Sequence, residues 1–190
     1  MTLTTQRLYS FEEYLKYDDD TDKRYELVDG RLELINPPTF RHLLIAEFIN
    51  NTFDAEINRL NLPWLCFQKA GVRTGPRKSR LTDIYILRKD QILDFLDSSA
   101  ITETSPILTV EVVSPDSIKR DYRYKRSEYA ALEVSEYWIV DTLEQKLTVL
   151  LLEEGLYEET IFTAPQTIIS RTFPELCLTV EKVLAAGNIS

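Results

Sequence analysis

The chain has 190 residues, of which 44% are hydrophobic and 11% aromatic, enough to bury one sizeable core and too apolar for a disordered chain. Its net charge of -9 argues against a protein that coats nucleic acid or anionic membrane non-specifically. Two cysteines, Cys66 and Cys177, exclude a disulfide scaffold or a cysteine-rich zinc site, and the lack of an apolar leader in the N-terminal segment or of a membrane-length run predicts a cytoplasmic protein.

In chain order, SFEEYLKY reads as a short helix with Ser10 as N-cap and Glu13 in the capping-box position. YELV and RLEL flank Asp29-Gly30, so two strands running from about Arg24 to Ile35 should form a hairpin. After Pro37 and Pro38, residues 39–60 have the period of a long amphipathic helix, with Ile45, Ile49, Phe53, Ile57 and Leu60 on its buried side. PWLCFQKAGVR reads as one strand, GPRKSR as an exposed basic loop and LTDIYIL as the next strand, before a helical or irregular stretch over 90–99. ILTVEVV, ended by Ser114-Pro115, is a further strand. A helix over 121–133, the strand SEYWIVD, and the strand pair KLTVLLL and LYEETIF meeting at Glu154-Gly155 follow. The tail closes with a strand-like ELCLTV and a short helix, EKVLAA.

Three charges in this order stand where charge is costly. Asp83 lies near the start of LTDIYIL and Glu111 interrupts the apolar run ILTVEVV. A lone buried carboxylate would sooner take up a proton, so ionised ones need a cation, a metal or many donors. Two in one sheet point to a shared metal ion. On the helix over 121–133, the face made by Tyr122, Lys125, Tyr129 and Leu132 directs an ammonium inward, and a helix that follows a strand closely packs on that strand's own sheet. Each residue also has a plainer role: Glu111 could pair with an arginine, Asp83 cap a turn, Lys125 reach solvent past its tyrosines, His42 sit hydrogen-bonded in the core, and Glu26 face outward from the hairpin. Basic residues gather in two windows, around Lys69, Arg73, Arg77, Lys78 and Arg80 and again around Lys119, Arg120 and Arg123, away from the acidic 18–22 and 153–159 stretches. That segregation suits a site that receives a polyanion, although charge runs are also ordinary solvated faces.

The order of elements, with Asp83 on one strand and Glu111 on the next, resembles PD-(D/E)XK nucleases. More narrowly, YELVDG at 25–30, His42 on the long helix, LTVEVVSP at 108–115, the aspartate, lysine and later tyrosine of DYRYKRSEY, EYWIVD at 136–141 and FPEL at 173–176 resemble the bacterial Uma-type family of restriction-endonuclease-like proteins, from about Tyr25 to Val180. The signature proline before the first carboxylate is Thr82, and Val113 stands where the E-x-K half has lysine. In this family a lysine on the following helix replaces it, and Lys125 occupies that place.

The resemblance implies an α/β (α+β) restriction-endonuclease-like fold: a mixed β-sheet flanked by helices, with an N-terminal β-hairpin and extra C-terminal strands. It would form one domain over 1–190, with a core at about 24–141 and an extension at about 146–185. It further implies an Mg²⁺- or Mn²⁺-dependent endonuclease that hydrolyses phosphodiesters, in DNA, by a metal-activated water. Asp83, Glu111 and the backbone carbonyl of Val112 would be metal ligands and Lys125 the catalytic cation. Glu26, His42 and Tyr129 would support them, and Arg73, Arg77, Lys78, Arg80, Lys119 and Arg120 would contact nucleic acid. A double-strand cut needs two sites, hence an expected homodimer, with the strand pair at about 146–162 as its interface. The alternative is a catalytically inactive nuclease-fold module that binds protein or a polyanion.

Overall fold

The computed structural model describes residues 7–189. The expectation drawn from the extreme N-terminus, that it carries no secretory leader, falls in part on residues 1–6, outside the described residues. Among the described residues no helix is long and apolar enough to cross a membrane.

Helix α1 (Phe11–Leu15) begins with the expected reciprocal cap: the Ser10 hydroxyl accepts from the Glu13 amide, and the Glu13 carboxylate accepts from the Ser10 amide. Strands β1 (Arg24–Val28) and β2 (Arg31–Ile35) pair antiparallel, with Glu26 opposite Glu33. Asp29 and Gly30 both take left-handed backbone, φ 50° and 82°, as a two-residue turn matched to strand twist requires. Thr39 caps α2 (Phe40–Arg59), which buries Ile45, Ile49, Phe53 and Ile57. Leu60, expected on that buried side, is the C-cap and is 38% exposed, because the helix has ended and its side-chain row with it.

The run expected as one strand is two. Strand β3 (Trp64–Gln68) gives way at Lys69, whose φ is 55°, to β4 (Gly71–Gly75). The segment expected as an exposed basic loop contains β5 (Lys78–Leu81), in which Ser79 and Arg80 are buried, and β6 (Ile84–Arg88) follows. The result is a long bent hairpin: β4 pairs with β5 in one sheet, β3 with β6 in the other. The bend is held where the arms cross, by Lys69 N–H donating to the Asp83 carbonyl and Thr82 N–H to the Ala70 carbonyl. Asp83 therefore lies in the bend just before β6, not within the strand.

After two short 3₁₀ turns and β7 (Ile101–Thr102), the chain enters β8 (Leu108–Val112). A π-helical turn (Arg120–Lys125) runs directly into α3 (Arg126–Ala131). Strands β9 (Glu136–Asp141), β10 (Lys146–Glu153) and β11 (Leu156–Thr163) complete the larger sheet, ordered β11-β10-β9-β8-β6-β3, with β8 and β9 parallel and the rest antiparallel. The smaller sheet is ordered β2-β1-β5-β4-β7. ELCLTV is not a strand; the region makes a single bridge, Thr167 with Thr179, before α4 (Val180–Ala185). Its apolar residues read as a strand because Leu176, Leu178 and Val180 are buried against the core from an irregular path.

Both faces of the larger sheet are covered, which explains why β8 and β9 are buried throughout. Val110, Val112, Trp138 and Val140 pack toward α2, where Phe53 meets the Trp138 ring edge-on. Val113, Tyr137 and Ile139 pack toward Tyr129 of α3. Alternation along a strand is strict, so Glu111, between Val110 and Val112, points to the α3 side.

Candidate active site

The bend between sheets brings Asp83 beside β8. β6 begins at Ile84, which pairs with Val110, so Val112 extends past its strand partner and its amide would otherwise be orphaned. The Asp83 Oδ2 accepts that amide at 2.8 Å, and Oδ1 meets His42 Nε2 at 2.8 Å. His42 stands in the first turn of α2, its own amide capped by Thr39. Burial alone would raise the Asp83 carboxyl, but the His42 hydrogen bond and charge, Lys125 and the Val112 amide together hold it below its ordinary range.

Glu111 receives two partners from the helix opposite. Tyr129 Oη donates to its Oε1 at 2.9 Å, and Lys125 Nζ lies 2.7 Å from Oε2. Burial pushes this carboxyl up to about 8, the more so with Asp83 and Asp121 near, while Lys125 pulls it down. The Lys125 ammonium, itself 2% exposed, also donates to the Leu81 carbonyl at 2.8 Å and stands 3.6 Å from Asp121 and 3.8 Å from Glu26. Desolvation works against its charge, yet Glu111, Asp121 and Glu26 outweigh it and hold Lys125 above its ordinary value. Val113, where a lysine could have sat, packs in the apolar cluster around Tyr129 instead.

The expected stripe is kept, with Lys125 and Tyr129 buried and Tyr122 and Leu132 packed partly buried around Tyr129. It carries one residue more: Asp121, four positions before Lys125 on the π-helical turn, is also inward and 1% exposed. Tyr122 donates to Asp141 at its edge. Asp121 was not singled out as a site residue by its sequence, although its i,i+4 spacing from Lys125 was the available signal. Among the described residues its Oδ1 has no hydrogen-bond partner, and burial raises its carboxyl.

Glu26 is not an outward hairpin residue. It is 1% exposed, accepts from the Leu81 amide at 3.1 Å and receives Arg80 Nη1 at 2.9 Å. Arg80 grips Glu128 of α3 with two further bonds, at 2.8 and 2.6 Å. Arg80 is thus a buried tie between the hairpin and α3, 2% exposed, and does not offer its charge to a nucleic acid as its sequence context implied. Neither do its neighbours face the site: Arg73 pairs with Glu103 and stacks over Phe11, and Lys78 pairs with Asp29. The Arg77 side chain lies beside Gly30, and Lys119 lies over the Tyr124 ring. Of the six, Arg120 alone lines the cavity onto which the carboxylates open.

That cavity, about 860 Å³, has Glu26, Asp83, Glu111, Asp121 and Lys125 along its floor, with Val112 among its lining. Among the described residues no three or more His, Cys, Asp and Glu side chains are disposed as a ready metal cage. Asp83 and Glu111 are the carboxylates that could hold a divalent cation with hard oxygen donors. Each of their oxygens engages a single hydrogen-bonding or ionic partner, leaving lone-pair capacity on a carboxylate. Magnesium uses one or two carboxylates with water and substrate oxygens rather than a full protein cage, so this donor set fits it.

The sequence model of the Uma2 family, described as "Putative restriction endonuclease", matches residues 11–181. No curated protein matches the chain. A crystal structure from Anabaena variabilis, described as "a putative nuclease belonging to DUF820", superposes with a TM-score of 0.78 at 18% identity, covering 94% of this chain and 99% of that one; it shows a shared fold. The type IIG restriction endonuclease BpuSI aligns over 80% of this chain and 17% of its own, at 12% identity and a TM-score of 0.41.

Proposed function

The chain belongs to the Uma2 family, and on that premise we propose that it is a metal-dependent endonuclease that hydrolyses phosphodiester bonds in DNA. The observation that carries the reading is the meeting of Asp83, Glu111 and Lys125 from three separate elements along one cavity, with Lys125 2.7 Å from Glu111. Mg²⁺ or Mn²⁺, held by Asp83, Glu111 and the carbonyl of Val112, would supply Lewis-acid chemistry, acidifying water and offsetting charge on the phosphate.

The chain's own residues do the rest. In hydrolysis a water oxygen bonds to phosphorus as it gives up a proton to solvent, the bond from phosphorus to the departing sugar oxygen breaks, and that oxygen takes up a proton from solvent. Lys125 Nζ, kept charged by three carboxylates, faces the cavity where the phosphate's negative charge grows and orients the attacking water. His42 fixes the Asp83 carboxylate from α2, and Tyr129 fixes Glu111 from α3. Glu26, itself locked by Arg80, holds the ammonium from the hairpin side. We read residues 1–190 as one domain and the enzyme as a cytoplasmic homodimer in which the free edge of β11, bearing exposed Leu156 and Ile161, is the contact.

The test is divalent-metal binding and turnover in parallel. Lys125→Ala should retain Mn²⁺ binding by calorimetry and lose DNA cleavage by about 100-fold or more. Normal cleavage by that variant would remove Lys125 from the mechanism.

A further inference from the structure

We infer that DNA reaches this site as an unpaired strand, so that the enzyme cuts single-stranded or locally melted DNA and not intact duplex; the inference rests on the nuclease reading. The groups assigned to the chemistry do not lie on an open surface. Glu26, Glu111 and Lys125 are each 3% exposed or less and Asp83 is half-buried, all lining a cavity of about 860 Å³. A scissile phosphate must descend into that space to come within reach of Lys125. Base pairing and stacking hold the two backbones of a duplex together as a stiff rod. An unpaired strand can bend its backbone inward; a paired one cannot without melting.

The walls fit the same substrate. One side is apolar, built from Leu34, Ile35, Pro37, Pro38 and Leu43 where the hairpin hands over to α2. Leu34 is 51% exposed, a surface that duplex phosphates would leave uncovered and that unstacked bases would cover. At the mouth stand the exposed cations Lys23, Arg24 and Lys69, with the Arg24 guanidinium bonded to the Lys69 carbonyl. Cations at a rim with apolar surface behind them match a single strand, whose phosphates follow the charge while its bases seek a dry face. Asn36 Nδ2 donates to Asp116 Oδ2 at 2.9 Å, tying together two segments that border the cavity.

The experiment compares one labelled sequence in three forms: single strand, blunt duplex, and duplex with an internal unpaired bubble. Each is incubated with the full chain and Mn²⁺, and binding is measured separately by fluorescence anisotropy without divalent ions. Expected are cuts in the single strand and the bubble, confined to unpaired nucleotides, with duplex cut at least an order of magnitude more slowly and bound more weakly. Leu34→Glu, a change at an exposed position, should weaken single-strand binding with an unchanged circular dichroism spectrum. Equal cutting of duplex, abolished by Glu111→Ala, would overturn the inference and leave the nuclease reading standing. Unchanged single-strand binding by Leu34→Glu would overturn the assigned wall. Absence of cutting on all three forms would take down the nuclease reading and this inference with it.

Discussion

Two buried glutamates show how environment separates a structural carboxylate from a reactive one. Glu136 is fully buried, and both its oxygens are saturated by Trp138, Ser170 and the amide and hydroxyl of Thr172, all at 2.7 or 2.8 Å. Glu111 has only Tyr129 and Lys125, opens on the cavity, and its carboxyl rises from an ordinary 4.5 to about 8. Between those values the folded state binds a proton that the unfolded state has released, so stability should fall as pH rises across that interval. Asp83 shifts the other way, and its contribution is lost only as pH falls below the ordinary aspartate value of 3.8. Urea melts of metal-free protein should therefore show a declining midpoint from pH 4.5 toward 8, and Glu111→Gln, which cannot titrate, should flatten it; an equal decline in the variant would assign the effect elsewhere. Added Mn²⁺ should stabilise the wild type most at the upper end, where it no longer competes with a proton. Glu111 and Lys125 were legible in the sequence because a charge in an apolar run or on an apolar stripe costs free energy that a partner at a site must offset. Asp121 entered only as part of the family resemblance, its i,i+4 spacing from Lys125 being the physical signal that went unused, and nothing local marked Arg80 as buried.

At the scale of elements, the site depends on ties between pieces far apart in the chain. Arg80 joins Glu26 of β1 to Glu128 of α3 from inside the protein. Arg80→Met should cost about 3–5 kcal/mol in urea unfolding, because it leaves the buried Glu26 with only the more distant Lys125 and takes from the half-buried Glu128 its closest cation. A loss no larger than that of an exposed salt bridge would mean that water replaces the guanidinium. Gly30 is a simpler case: with φ at 82° and the Tyr9 carbonyl 3.2 Å from where a Cβ would stand, Gly30→Ala should cost about 1–2 kcal/mol. That hairpin, the long helix and its cap were readable because turn chemistry and period-3.6 patterning are local. The bend at Lys69 was not, since one extended apolar run serves equally well for one strand or for two in different sheets. The bend is nonetheless what delivers Asp83 to Val112, so the least legible local feature positions half of the carboxylate pair.

Across the whole molecule, a chain with net charge -9 can hold a polyanion only where its cations are concentrated. The structure keeps only Lys69 and Arg120 of the basic windows emphasised by sequence at the cavity, Arg73, Lys78 and Arg80 being paired with carboxylates elsewhere, and adds Lys23 and Arg24. Binding of single-stranded DNA should weaken as salt rises, and Lys69→Ala should reduce the slope of log affinity against log salt by about 0.7, one phosphate's share. An unchanged slope would mean that Lys69 meets no phosphate. The most direct test of the nuclease assignment is cleavage of supercoiled plasmid and single-stranded DNA with Mg²⁺ or Mn²⁺ by wild type, Asp83→Ala and Glu111→Ala, each checked for folding. The wild type should cut in a metal-dependent way, and either substitution should abolish cutting. No cutting by folded wild-type protein, or cutting that survives both substitutions, would contradict the assignment.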